Sequence, residues 1–434
     1  MTALSLAAEA ASVRDFSFKG ALYVAVIALA APVLVNLAPK LRMPAVVLEI
    51  VLGILVGPAV LDWVHVDVPL SVLALIGLAF LLFLAGLEID PARLRGRMAR
   101  LSGAFLVSLV LAGALAYLFD AIEPIRDPLF VAIVLASTSL GLVVPVLSDA
   151  GENSSAFGQV VLAASSLAEF GTILLLSLFF SQSSSTTGSQ VVLLVAFVGL
   201  VGAVAFGMTR ADRSPRIAST LMKLENTSAQ LGVRIAITLL LLFTAMATEL
   251  GFEAILGAFV AGAVLRVADR REYMIHAEFR RKIEAIGYGF LIPVFFVTSG
   301  MGVDMKALLR RPEHLVLVPL FLVALLVARG TPAFLYSAFF DRRHQVAAGL
   351  LQATSLTFVV IAERLGVELS VFDAATGAAL VCAGLLSVML FPAFALRLLG
   401  DSQGASIDGD GAATAFPPTE ALQPPVDPEP DAIA

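Results

Sequence analysis

The sequence predicts an all-α polytopic membrane protein, with about 13 transmembrane helices in two inverted repeats. Three observations predict it. The 434 residues are 59% hydrophobic and 14% charged, with mean hydropathy +0.95, whereas soluble chains average about 45–50% apolar and about 25% charged. Apolar runs long enough to cross a bilayer, which takes about 20 residues per helix, recur along almost the whole chain. Several short motifs also occur twice, in the same order. This composition excludes most cytosolic enzymes and nucleic-acid binders.

The spans follow one another with charged punctuation. Span 1 covers 21–38 and is followed by Lys40 and Arg42. Span 2 covers 44–61 and has Glu49 near its start. Span 3, at 69–87, ends in Glu88 and Asp90, with Arg93, Arg95, Arg97 and Arg100 beyond. Spans 4 and 5 cover 101–119 and 128–147. Span 6, at 158–180, holds Glu169 eleven residues from each end. Span 7, at 189–209, precedes Arg210, Arg213, Arg216 and Lys223. Spans 8 and 9 cover 230–249 and 252–266, with Arg234 near the start of span 8 and six basic residues from Arg266 to Lys282 after span 9. Span 10, at 286–303, ends at Asp304. Span 11, at 314–338, contains Arg329 and precedes Arg342 and Arg343. Spans 12 and 13 cover 345–363 and 371–397.

With thirteen spans, nineteen of the 28 Lys and Arg residues fall on one side and seven on the other. Arg14, Lys19, Arg126, Lys306, Arg310, Arg311 and Arg364 make up the sparse side. The positive-inside rule then sets the N-terminus outside and the C-terminus in the cytoplasm. Residues 1–20 read as an external N-terminal segment rather than a signal peptide, since no basic stretch and cleavage site are present. Residues 399–434 carry seven acids, many prolines and no Lys or Arg, a composition that predicts a disordered cytoplasmic tail. The membrane unit is thus 21–398.

The repeats are Glu49-Ile-Val-Leu-Gly53 with Glu253-Ala-Ile-Leu-Gly257, Gly86-Leu-Glu-Ile-Asp90 with Gly300-Met-Gly-Val-Asp304, and Thr138-Ser-Leu-Gly with Thr354-Ser-Leu-Thr. They place spans 2, 3 and 5 against spans 9, 10 and 12. Spans seven apart run in opposite directions, so the halves are inverted and span 7 connects them. Secondary transporters are commonly built this way and bind substrate near the midplane, where helices are interrupted. The Thr, Ser and Gly runs inside spans 5 and 12 are the expected interruptions, because backbone groups freed from a helix need a polar partner that lipid does not supply.

Glu169 stands out. A carboxylate at mid-bilayer costs about 2.5–3.5 kcal/mol on insertion scales and is a functional residue by default. Ser165 lies one turn before it and Thr172 about one turn after, on the same helical face. Hard monovalent cations take oxygen ligands, and either a proton or a metal ion neutralises one buried carboxylate. That competition is the chemistry of exchange. Arg329 keeps its proton in any protein environment. It is expected to compensate Glu169 or the carbonyl ends of broken helices, or else to snorkel to the cytosolic surface. Glu49 and Glu253 read as first-turn partners of the helix dipole. With one cysteine, Cys382, and four histidines (His65, His276, His314, His344) at or beyond the ends of the runs, neither a Cys-rich metal site nor an intramembrane histidine site is expected. No GxGxxG fold follows the spans, so neither a cofactor nor a nucleotide-binding regulatory domain is expected.

The stretches PAVVLEIVLGILVGP, FLLFLAGLEIDPARLR, FEAILGAFVAGAVLR and GYGFLIPVFFVTSGMGVDMKAL resemble the monovalent cation:proton antiporter family, in the branch of Kef-type and Nap-type exchangers. The resemblance covers about residues 20–398. It implies that spans 5 and 12 are unwound and cross each other, that the protein is a homodimer in the bacterial inner membrane, and that a core moves as an elevator. Its substrates would be Na+ or K+ and H+, with no enzymatic reaction. The site implied is Glu169 as the cation and proton ligand, with Ser165, Thr138, Ser139, Thr354 and Ser355 supplying oxygens and Arg329 compensating charge. The family's paired acids are reduced here to Ala168-Glu169, and Arg329 stands where other members carry a basic residue. Members with paired acids and a lysine at that position tend to be electrogenic and those with arginine to exchange one for one, so the resemblance implies an electroneutral cycle. A cation channel or a non-transporting sensor on the same scaffold is the alternative.

Overall fold

The computed structural model describes residues 18–37, 44–88, 98–121, 125–152, 155–180, 187–212, 230–268 and 277–405. Most of the N-terminal segment, the acidic tail from 406, and the basic residues Lys40, Arg42, Arg93, Arg95, Arg97, Arg213, Arg216, Lys223, Arg270 and Arg271 lie outside the described residues. Among the described residues there is no strand. Among them ten helices are long and apolar enough to cross a membrane, and three shorter apolar segments accompany these within the described residues. The protein is therefore a multi-pass membrane protein.

The first half contains α1 (Phe18–Leu37), α2 (Ala45–Val56), α3 (Val68–Leu87), α4 (Met98–Asp120), the pair α5 (Pro128–Leu135) and α6 (Leu140–Asp149), and α7 (Ala156–Phe179). The connector is α8 (Thr187–Asp212). The second half contains α9 (Leu231–Glu249), α10 (Ala254–Ala268), α11 (Ala277–Ile286), α12 (Ile292–Gly302) and α13 (Met305–Arg310). It continues with α14 (Leu317–Leu325), the pair α15 (Arg342–Gln352) and α16 (Thr357–Glu368), and α17 (Ala374–Ala405). Spans 5 and 12 are broken where the Thr–Ser runs predict.

These elements pack as two bundles. α1, α2, α3, α9, α10 and α12 form one; α4 to α7 and α14 to α17 form the other. Contacts of α7 with α10, α3 with α6 and α2 with α17 join them. Capping fixes several starts: Asp67 accepts from the Leu70 N–H, Asp127 from the Leu129 N–H and Ser155 from the Gly158 N–H, so each satisfies a free helical donor.

Inside the first bundle the repeat partners pack crosswise, α2 on α12 and α10 on α3. Glycine permits both contacts. A Cβ on Gly300 would lie 2.2 Å from the Ile50 carbonyl oxygen, and one on Gly262 would lie 2.0 Å from that of Phe83. Without a hydrophobic force between helices in lipid, such backbone-to-backbone packing is a main source of association.

Three helices depart from the expected runs. α17 continues to Ala405, into the 399–434 stretch expected to be a disordered tail. Span 10 extends upstream through α11 and a π-helical turn at Gly287–Leu291. Span 11 carries a second π-helical turn at Leu326–Gly330, followed by a 3-10 helix at Thr331–Ala338. Such turns inside helices often mark functional positions, and this one holds Arg329.

Candidate ion-binding site

Residues 137–139 and 353–356 leave helical geometry and touch at the centre of the second bundle. The Ser139 N–H donates to the Thr354 carbonyl at 3.0 Å. Ser139 Oγ accepts from the N–H groups of Leu356 at 2.9 Å and Thr357 at 3.0 Å, which caps α16 from the other strand of the crossing. Ser137 Oγ and Ser355 Oγ lie 2.6 Å apart, and Ser137 also donates to the Val134 carbonyl at 2.7 Å. Ser387 Oγ on α17 accepts from the Ser355 N–H at 3.2 Å. Both breaks are thereby satisfied inside the protein, as lipid requires.

Glu169 comes to this crossing. Its carboxylate is 4% exposed, and Oε2 accepts the Leu140 N–H at 3.0 Å. Leu140 opens α6, so the acid faces the positive end of a half-helix. Ser165 is fully buried, and its hydroxyl finds no partner among the described residues. Thr172 instead donates back to its own helix, to the carbonyls of Ala168 at 2.8 Å and Glu169 at 3.0 Å. Its side chain reads as structural.

The expected pairing of Arg329 with Glu169 is not found among the described residues, and Arg329 does not snorkel. It is 1% exposed. Its Nε donates to Thr138 Oγ1 at 2.8 Å, Nη1 to Ser108 Oγ at 3.0 Å and Nη2 to Gln352 Oε1 at 3.3 Å. Thr138 in turn donates to the Gln352 carbonyl at 2.6 Å, and Tyr336 donates to Gln352 Oε1 at 3.3 Å. The reason is geometric. Thr138 and Gln352 lie at the carbonyl ends of α5 and α15, where partial negative charge gathers. Glu169 sits at the amide end of α6. Each charge thus meets the helix end of opposite sign.

The six predicted oxygen donors therefore divide. Glu169 and Ser165 keep spare oxygen capacity, whereas Thr138, Ser139, Thr354 and Ser355 spend their side chains on the crossing; Thr354 donates to the Leu350 carbonyl at 3.2 Å. Sequence reasoning missed Ser108, Ser137, Gln352, Tyr336 and Ser387. Gln352 directly precedes the Ala-Thr-Ser break and was the most accessible signal. Glu88 at the end of α3 lines a small cavity with Arg280, Glu284 and Tyr288. Arg280 Nε pairs with Glu284 at 2.6 Å.

A family model for the transmembrane part of sodium/hydrogen exchangers matches residues 25–396. The chain belongs to the sodium/hydrogen exchanger family. It is 29% identical to YjbQ of Bacillus subtilis over 389 residues, covering 85% of this chain and 61% of that one. The chain thus spans less than two thirds of that relative's length. It is 25% identical to the Na+/H+ antiporter of Enterococcus hirae over 365 residues, with 82% and 92% covered. The fold matches the sodium proton antiporter MjNhaP1 of Methanocaldococcus jannaschii at TM-score 0.63 and 18% identity, covering 88% of this chain and 99% of that one.

Proposed function

We propose that this exchanger-family protein carries Na+ in exchange for H+ across a bacterial inner membrane, one for one, with Glu169 as the shared site. The observation that carries this reading is the separation of the two buried charges. Among the described residues Glu169 is held by a backbone amide and by no cationic side chain, while Arg329 is compensated at the carbonyl ends of α5 and α15. Glu169 is thus left to be neutralised by what it binds.

With a proton, the carboxyl is neutral and the second bundle crosses as an elevator. With Na+, Glu169 supplies the negative ligand, Ser165 a hydroxyl, and the backbone of the crossing further oxygens. Empty, the site keeps an unpaired charge in low dielectric and crosses poorly, because burying such a charge is costly. Two neutral loaded forms and one blocked empty form give coupled exchange without net charge movement. The first bundle serves as the static frame of a homodimer, with the N-terminus outside. K+ is the competing substrate.

Reconstitution into proteoliposomes with a pH-sensitive dye tests the proposal. The protein is expected to alkalinise acid-loaded vesicles when Na+ is added, with no acceleration by an imposed potential, and Glu169→Gln should abolish the response. Full exchange by Glu169→Gln contradicts the proposal. Saturable exchange with K+ alone would reassign the cation, and a conductance without exchange would favour a channel.

A further inference from the structure

A second cleft opens between the two bundles, at the far end of α3 and α12 from Glu88. It has a volume of about 260 Å³ and is lined by Ser71 in the first turn of α3, Thr298 and Ser299 near the end of α12, and Glu363 and Arg364 in the middle of α16. Glu88 and Gly302, which also lines this cleft, are repeat-equivalent positions 214 residues apart. The two mouths are thus related by the inverted repeat, but each carries its acid on a different bundle: Glu88 on the first, Glu363 on the second.

Two polar side chains in this cleft are buried. Glu363 is nine-tenths buried, at 9% exposure, and lines the cleft beside Thr298 and Ser299. Thr298 is 7% exposed, and its hydroxyl is buried with no partner among the described residues. A helical threonine can bond back to its own turn, and the Thr298 hydroxyl does not. A buried polar group without a partner is costly and is normally satisfied. The charges acting on Glu363 are Arg364, exposed at the rim, and Asp304, which N-caps α13. They oppose each other. What remains is one carboxylate among the hydroxyls of Thr298, Ser299 and Ser71, an all-oxygen set of the kind hard cations take.

We propose that this cleft is a recruiting site for the transported cation at the outer mouth. Glu363 and Thr298 hold a partly hydrated monovalent cation there before it reaches Glu169. The proposal rests on the exchange reading above and adds an asymmetry to it. Glu363 belongs to the bundle that carries Glu169, whereas Thr298, Ser299 and Ser71 belong to the other, so the site is complete only in the arrangement seen here. A displaced second bundle would take Glu363 away from its hydroxyl partners and release the ion.

The test uses the full chain in right-side-out and everted membrane vesicles, with NaCl as the probe and choline chloride as the ionic control. Glu363→Gln should raise the KM for Na+ by roughly 3–10-fold in right-side-out vesicles only, the loss of one contact to a still partly hydrated ion, with kcat unchanged. Thr298→Val should shift it in the same direction by less, and it carries the test if Glu363→Gln does not accumulate. An unchanged KM, an equal rise from both sides, or an effect confined to everted vesicles overturns the proposal. Loss of exchange in Glu169→Gln is scored separately. If that variant still transports, the shared-site reading falls while the sidedness of Glu363→Gln still decides the outer cleft.

Discussion

Thr138 holds Arg329 and the α15 end together through one hydroxyl, so removing that oxygen alone measures the crossing. In Thr138→Val the shape is nearly kept, but Arg329 Nε–H loses its 2.8 Å acceptor and the Gln352 carbonyl loses its 2.6 Å donor. All three residues are buried. Each orphaned buried group costs about 1–3 kcal/mol, so the two together should destabilise the protein by about 2–6 kcal/mol. Thr138→Ser keeps both bonds and loses only a methyl, worth about 1 kcal/mol. Unfolding by SDS titration in mixed micelles gives the comparison, and a double-mutant cycle with Arg329→Met isolates the bond. The coupling should be about 1.5–3 kcal/mol, the range for hydrogen bonds to charged groups. Equal stability of the Val and Ser variants, with no coupling to Arg329, would refute this account of charge compensation.

Gly300→Ala should destabilise by about 1–3 kcal/mol through overpacking, because its Cβ would sit 2.2 Å from the Ile50 carbonyl oxygen; Gly103→Ala, with nothing within 4 Å, should be neutral to stabilising by up to about 1 kcal/mol in the same SDS titration. Ser165→Ala removes a hydroxyl that makes no bond among the described residues, so stability should hold while the KM for Na+ rises roughly 3–10-fold; an unchanged KM removes Ser165 from the site. Burial pushes the Asp373 carboxyl up, but the Thr376 N–H and the nearby His314 and Arg311 outweigh it and leave it below its ordinary value of 3.8. A depressed acid stabilises the fold above its unfolded pKa, and that contribution fades as pH falls through the folded one. The stability gap between wild type and Asp373→Asn should therefore be present at neutral pH and narrow below about pH 4; a gap that widens with acid contradicts the assignment.

Much of this architecture is legible in the residues because lipid constrains sequence strongly. Apolar runs and alternating basic clusters yield thirteen segments, and the Thr138 and Thr354 motifs mark both breaks. Glu169 stands out because a carboxylate at mid-bilayer is rare. The surroundings of Arg329 were not legible. Ser108 lies 221 residues away in chain order, within the apolar stretch of α4, and only packing brings it near. The π-helical turn that sets Arg329 has no compositional mark. The upstream extension of span 10 was hidden for the opposite reason: α11 carries Glu278, Arg280, Arg281, Lys282 and Glu284 and does not register as apolar.

The most direct measurement of the shared-site claim is proton release from purified, detergent-solubilised protein in weakly buffered solution when NaCl is added. If Na+ and H+ compete for Glu169, wild type should release up to about one proton per protomer with saturating dependence on Na+, and Glu169→Gln should release none. Undiminished release from Glu169→Gln would contradict it.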